Sequence, residues 1–233
     1  MKKIAIFVEG LTEQLFVEQL LLKIVGQKHL VIHKAKATGG KTKRRHVSII
    51  EASTPTDTCR YLALIVDSSG DSRVASDIRE RYQSLAQAGH SAIIGIRDVY
   101  PNTRAQIFQV RQQCAFRVPQ APIPVYFILG VMETESWFIA EHTHFAQIDK
   151  LLTPAATAAA LTYDPASYDI QLREHPAQDL DTAYKTVGCR YIKRRDNIQR
   201  TVEVLDYAEV YLNVSTRFPD LKLLVGCIDA FLN

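Results

Sequence analysis

Four short runs of apolar, β-branched and aromatic residues constrain this chain most: Lys3–Val8, Tyr61–Val66, Ser91–Ile96 and Val125–Leu129. Each is too short for the core of a helix. None alternates strictly between polar and apolar residues, so each reads as a central strand buried on both faces. Segments with apolar residues at helical spacing lie between them. Thr12 caps one that runs to about Val25, with Glu13 in its first turn and Gly26 ending it. Val74–Ala88, closed by Gly89, and Thr103–Cys114 are two more. Strands and helices alternating at roughly 30-residue intervals are the mark of βαβ units. They predict an α/β fold with a mainly parallel sheet flanked by helices.

The remaining segments are less regular. Leu30–Ile32 fits a further strand, and Lys34–Arg45 reads as a loop or as a hairpin tip around Gly39-Gly40. His46–Cys59 suits a short strand or a helix equally. Glu133–Glu141 starts a helix whose Trp137 and Phe138 are expected in the core. Beyond Leu151 the pattern changes, with helices expected at Leu180–Val187, Ile192–Leu205 and Tyr207–Ser215, and Leu221–Leu232 is apolar enough to pack back on the core. Residues 1–150 are therefore expected to form the α/β core and residues 151–233 a helical extension packed on it.

Composition narrows the setting more than the function. The formal charge is only +3, so charge bears on partners only through local clusters. The four cysteines form no CxxC pair, which argues against a zinc knuckle or a disulfide framework and for buried thiols in a reducing compartment. Glu9 interrupts the N-terminal apolar run, and no run approaches the roughly 18 apolar residues of a membrane helix. A cytoplasmic protein without a membrane segment is expected.

In parallel sheets, function gathers at the carboxyl ends of the strands. This chain places acids there four times: Glu9, Asp67, Asp98, and Glu133 with Glu135. Carboxylates that converge repel one another unless protonated or bridged by a cation. Hard oxygen ligands suit Mg²⁺ or Mn²⁺. The glycines fit neither a GxGxxG dinucleotide turn nor a GxxxxGK[ST] phosphate loop, and no HExxH or GxSxG motif is present. His142 and His144 read as an exposed surface pair rather than as metal ligands.

The segment Phe7-Val8-Glu9-Gly10-Leu11-Thr12-Glu13-Gln14-Leu15-Phe16 resembles the first motif of TOPRIM domains, the catalytic module of topoisomerases, primases and overcoming-lysogenization-defect nucleases. Glu9 matches the glutamate that ends their first strand, and Asp67 the first aspartate of their later pair. The chain departs where Ser69 replaces the second aspartate, and Asp71, two residues on, is the candidate substitute. The likeness is closer to an uncharacterised bacterial TOPRIM-like family often grouped with phage-defence genes and ATPases. Its further matches are Gly95–Pro101, Glu133–Ala140 and the stretch from Tyr184-Lys185-Thr186 through the basic helix. The resemblance implies a TOPRIM or Rossmann-like core in which Glu9, Asp67 and Asp71 hold Mg²⁺ or Mn²⁺. Glu9 is alternatively a general base, and Glu13, Asp98, Glu133 and Glu135 are auxiliary.

Two basic clusters complete the reading. Lys34, Lys36, Lys41, Lys43, Arg44 and Arg45 form one; Lys185, Arg190, Lys193, Arg194, Arg195 and Arg200 form the other. Either suits phosphate contacts, with Lys185 the candidate to neutralise a scissile phosphate. The expectation is metal-dependent, nuclease-like phosphodiester chemistry on DNA or RNA, which the resemblance sets in phage defence beside an ATPase partner. The alternative is a non-catalytic adaptor that binds nucleic acid or a partner protein. Phosphoryl transfer on a small molecule ranks last, because no aspartate nucleophile motif stands out.

Overall fold

The run Lys2–Val8 forms strand β1, whose residues Ile4 to Val8 are all buried. The computed structural model describes residues 1–40 and 45–233, with Asp71 described by its backbone alone. Helix α1 (Leu11–Val25) follows β1, then β2 (Leu30–Thr38), β3 (His46–Ala52), β4 (Tyr61–Asp67) and α2 (Val74–Gln87). Next come β5 (His90–Asp98), α3 (Ile107–Ala115) and β6 (Val125–Gly130). The rest is helical: α4 (Glu135–Ala140), α5 (Phe145–Ile148), α6 (Pro154–Leu161), α7 (Pro176–Lys185) and α8 (Arg195–Val204). Helices α9 (Tyr207–Glu209), α10 (Ser215–Arg217) and α11 (Pro219–Leu232) end the chain, with a π turn at Val210–Val214.

The fold is α/β. Its six-stranded sheet has the order β3-β2-β4-β1-β5-β6. Strand β1 is parallel to β4 and β5, β2 is parallel to β4, and β3 runs antiparallel to β2. Hydrogen bonds from Ile93 N to Pro124 O and from Val99 N to Gly130 O advance together along β5 and β6, as parallel strands require.

By compactness the chain divides into two units. The first holds Met1–Arg97, Phe108–Leu129 and Leu223–Asn233; the second holds Asp98–Ile107 and Gly130–Lys222. In the first, Leu15, Phe16, Leu20 and Leu21 of α1 are buried. The buried amide of Gln14 donates to Ala35 O and Ile65 O, which fixes the helix against main chain as well as against side chains. Val74, Ile78, Tyr82 and Leu85 give α2 the apolar stripe that its sequence spacing predicts. Gly95 sits where a Cβ would lie 2.8 Å from Phe127 and 2.9 Å from Ile78, so only glycine fits this strand position.

Strand β2 is longer than the sequence suggested. It continues through Lys34 and Lys36, residues expected in a loop or at a hairpin tip around Gly39-Gly40, and pairs antiparallel with β3, as the hairpin reading requires. Lys34 is tolerated in a strand because its buried ammonium lies 2.8 Å from both Glu18 and Glu51. Burial opposes its charge, but hydrogen bonds to the two glutamates outweigh that and raise its pKa.

In the second unit, all six residues of α4 are buried, Trp137 and Phe138 among them. Tyr184 of α7 meets Phe145 and Tyr191 edge-on, with ring centroids 6.0 and 6.2 Å away, and its hydroxyl lies 3.2 Å from Thr201 Oγ1. Among the described residues, no helix is long and apolar enough to cross a membrane.

Substituting Gly95→Ala forces the new methyl group onto Phe127 and Ile78. Urea denaturation should show a loss of about 1–3 kcal/mol relative to the unmodified chain.

Candidate metal centre

Asp98 is the last residue of β5, and Glu133 and Glu135 flank the start of α4. All three belong to the second unit and are buried, at 3%, 8% and 0% exposure. One carboxylate oxygen from each lies within 4.8 Å of the other two. At such separations each like-charged pair costs about 4 kcal/mol at an effective dielectric of 20. The arrangement therefore needs local support, and every carboxylate has it.

Asp98 Oδ1 accepts from Thr134 N at 2.8 Å and from Thr134 Oγ1 at 2.9 Å. Gly130 permits that approach, because a Cβ there would stand 2.6 Å from Asp98 Oδ1 and 2.8 Å from Thr134 N. Glu133 Oε2 accepts from Ala177 N at 2.8 Å. This amide lies in the first turn of α7, where a main-chain N–H lacks a partner within the helix and a negative charge is favoured. Glu135 Oε1 accepts from the Tyr191 hydroxyl at 2.8 Å. Just before Glu133, the buried Met132 is left-handed, with φ of 57°. That conformation costs a non-glycine residue about 1–2 kcal/mol, and it sits at the turn that delivers both glutamates.

A cation completes the group. Lys193 Nζ lies 3.8 Å from Asp98 Oδ2, 3.4 Å from Glu133 Oε1 and 3.5 Å from Glu135 Oε1. Its side chain is 48% exposed, so it reaches the buried carboxylates from the solvent side. Asp181 anchors the segment that carries it, accepting from Arg190 Nε at 2.8 Å, Arg190 Nη2 at 3.0 Å and Tyr191 N at 3.0 Å. Those bonds, the Arg190 bond foremost, hold the Asp181 carboxyl far below the ordinary range. Lys185, expected at the phosphate, lies 2.8 Å from Asp181, so the lysine at the carboxylates is Lys193.

The acids singled out at β1 and β4 belong to the first unit. Asp67 Oδ1 accepts from Ser69 N at 2.7 Å and from Ser69 Oγ at 3.3 Å, and Asp67 Oδ2 lies 3.5 Å from Lys36. Ser69 is left-handed, with φ of 53°. Half-buried Glu9 follows β1, and its carbonyl accepts from Gly70 N. Glu13 Oε2 accepts from Gly10 N at 2.9 Å, closing the first turn of α1. The side chain of Asp71 lies outside the described residues. Among those described, Asp98, Glu133 and Glu135 are the one group of three acids that converges.

Of the first basic cluster, Lys41, Lys43 and Arg44 also lie outside the described residues. Lys34 is buried in its ion pairs, and Arg45 makes a bidentate pair with the buried Asp77. In the second cluster, Lys193, Arg194 and Arg195 are exposed where the chain enters α8.

The histidine expectation is corrected for His144, which is fully buried and donates from Nδ1 to Glu141 O. The aromatic cluster around it, Phe145 and Tyr184, takes the ring out of solvent. Burial lowers the His144 pKa to about 4 and raises that of Glu141 to about 7.

Tyr191, Thr134 and Gly130 were not identified as site residues from the sequence. Thr134 lies within the Glu133–Ala140 motif, but the sequence carries no sign that Tyr191 reaches back to Glu135. Comparisons with protein-family models, curated proteins and solved structures find no match.

The buried Glu141 and His144 make opposing contributions to stability. Glu141 keeps its proton in the fold between about pH 4.5 and 7 while the unfolded chain loses it, so its contribution falls as pH rises. His144 is held neutral between about pH 4 and 6.5 while the unfolded chain is protonated, so its contribution rises. Glu141→Gln removes the first effect. Chemical denaturation across pH 4–8 should show the variant gaining on the order of 2 kcal/mol relative to the unmodified chain.

Proposed function

We propose that this chain is a divalent-cation-dependent, nuclease-like enzyme acting on the phosphodiester bonds of DNA or RNA. Asp98, Glu133 and Glu135 would hold Mg²⁺ or Mn²⁺. The observation that carries the reading is the convergence of these three buried carboxylates beneath an exposed lysine. An all-oxygen donor set of one aspartate and two glutamates fits a hard cation and suits neither a thiolate nor an imidazole metal. When bound, such a cation lowers the pKa of a water and offsets charge on a phosphate.

The chain's own residues supply the rest. Thr134, Ala177 N and Tyr191 each fix one carboxylate, so the donors are oriented before any ligand arrives. Arg194 and Arg195, exposed beside Lys193, suit contacts with phosphates, which position a strand without reading its sequence. The resemblance to the TOPRIM-like defence family supports the same chemistry and a cytoplasmic setting beside an ATPase. It assigns the metal to Glu9, Asp67 and Asp71, an assignment that substitution of those acids tests by itself. A non-catalytic adaptor is the other reading, favoured by Lys193, which neutralises part of the acidic group from within the chain.

Labelled DNA and RNA incubated with the protein and Mg²⁺ or Mn²⁺ test the proposal. Glu135→Gln should reduce cleavage at least about 100-fold while leaving circular dichroism unchanged. Cleavage that survives Glu135→Gln but is lost in Glu9→Gln assigns the chemistry to the Glu9 set of acids. Absence of cleavage in the unmodified protein, with nucleic acid bound, supports the adaptor.

A further inference from the structure

We infer that the Lys193 ammonium is a built-in stand-in for the metal, and that a divalent cation enters the site only by displacing it. This rests on the reading of Asp98, Glu133 and Glu135 as a cation site. The geometry of the lysine points to exchange. Lys193 Nζ lies 3.4–3.8 Å from a carboxylate oxygen of all three acids at once, where a shared cation is called for. A divalent ion ligated by the same three oxygens would meet the ammonium as a like charge at close range, so the two exclude each other.

The surroundings permit the ammonium to leave without dismantling the site. The side chain is half exposed and carries four rotatable bonds, so a change of rotamer takes it into water. The backbone beside it stays put, because Asp181 holds Arg190 and the Tyr191 amide. Tyr191 keeps its hydrogen bond to Glu135 independently of Lys193. Exchange therefore transfers the three carboxylates from an internal monovalent cation to an external divalent one, with their hydrogen-bonded supports unchanged. In the absence of metal the lysine limits repulsion among the acids; with metal bound, the same lysine joins Arg194 and Arg195 in solvent.

Two measurements test this. Mn²⁺ binding, followed by quenching of the single tryptophan, Trp137, should be at least about tenfold tighter in Lys193→Met than in the unmodified protein. In the unmodified protein, Mn²⁺ should increase acylation of Lys193 by an amine-reactive ester, mapped by mass spectrometry, with Lys185 as internal reference. Equal or weaker binding in Lys193→Met, or Lys193 acylation that Mn²⁺ leaves unchanged, overturns the exchange while the metal site stands. If neither protein binds Mn²⁺, the metal reading itself fails and the exchange falls with it. Should Lys193→Met not fold, the acylation result alone decides.

Discussion

Repulsion among Asp98, Glu133 and Glu135 is the constraint around which the second unit is organised. Three buried carboxylates this close would scatter, protonate or recruit a cation if left to themselves. The chain answers at each one separately: a threonine amide and hydroxyl for Asp98, a helix-start amide for Glu133, a phenol for Glu135. Features otherwise without evident purpose then acquire one. Gly130 leaves room for the carboxylate of Asp98, and the left-handed Met132 lies at the turn that delivers Glu133 and then Glu135, the first residue of α4. Such pre-orientation costs backbone strain and buried charge, costs that the proposed cation site would account for.

The first unit handles charge differently. Lys34 is paired between Glu18 and Glu51, and Arg45 on the buried Asp77. The first of these pairs lets a lysine occupy a buried strand position that composition alone would assign to a loop or hairpin tip. Both withdraw their cations from the surface, and among the described residues Lys193, Arg194 and Arg195 form an exposed basic run beside acids.

Four strands of the sheet were legible in the sequence because buried parallel strands carry a strong signal, a short apolar run ended by charged residues or a glycine. Ile4–Val8, followed by Glu9, and Ile93–Ile96, followed by Arg97-Asp98, illustrate it. The extension of β2 through Lys34 and Lys36 was not legible, since its charges are neutralised by Glu18 and Glu51, residues distant in sequence. The same limit governed the site. The strand-end rule pointed to acids at Glu9, Asp67, Asp98 and Glu133–Glu135. Which of them converge depends on tertiary placement, and so does the arrival of Lys193 and Tyr191 from a segment more than fifty residues on. His144 shows the error in reverse. A polar residue near a helix end reads as exposed, yet the aromatic cluster around it takes it fully out of solvent.

Crystals soaked in Mn²⁺ and measured at the manganese absorption edge test directly whether this acidic group holds a divalent cation. One strong anomalous peak among Asp98, Glu133 and Glu135, with the Lys193 side chain turned into solvent, is the expected result. A peak at Glu9 and Asp67 instead, or Lys193 still over the three carboxylates with no peak beside it, would contradict it.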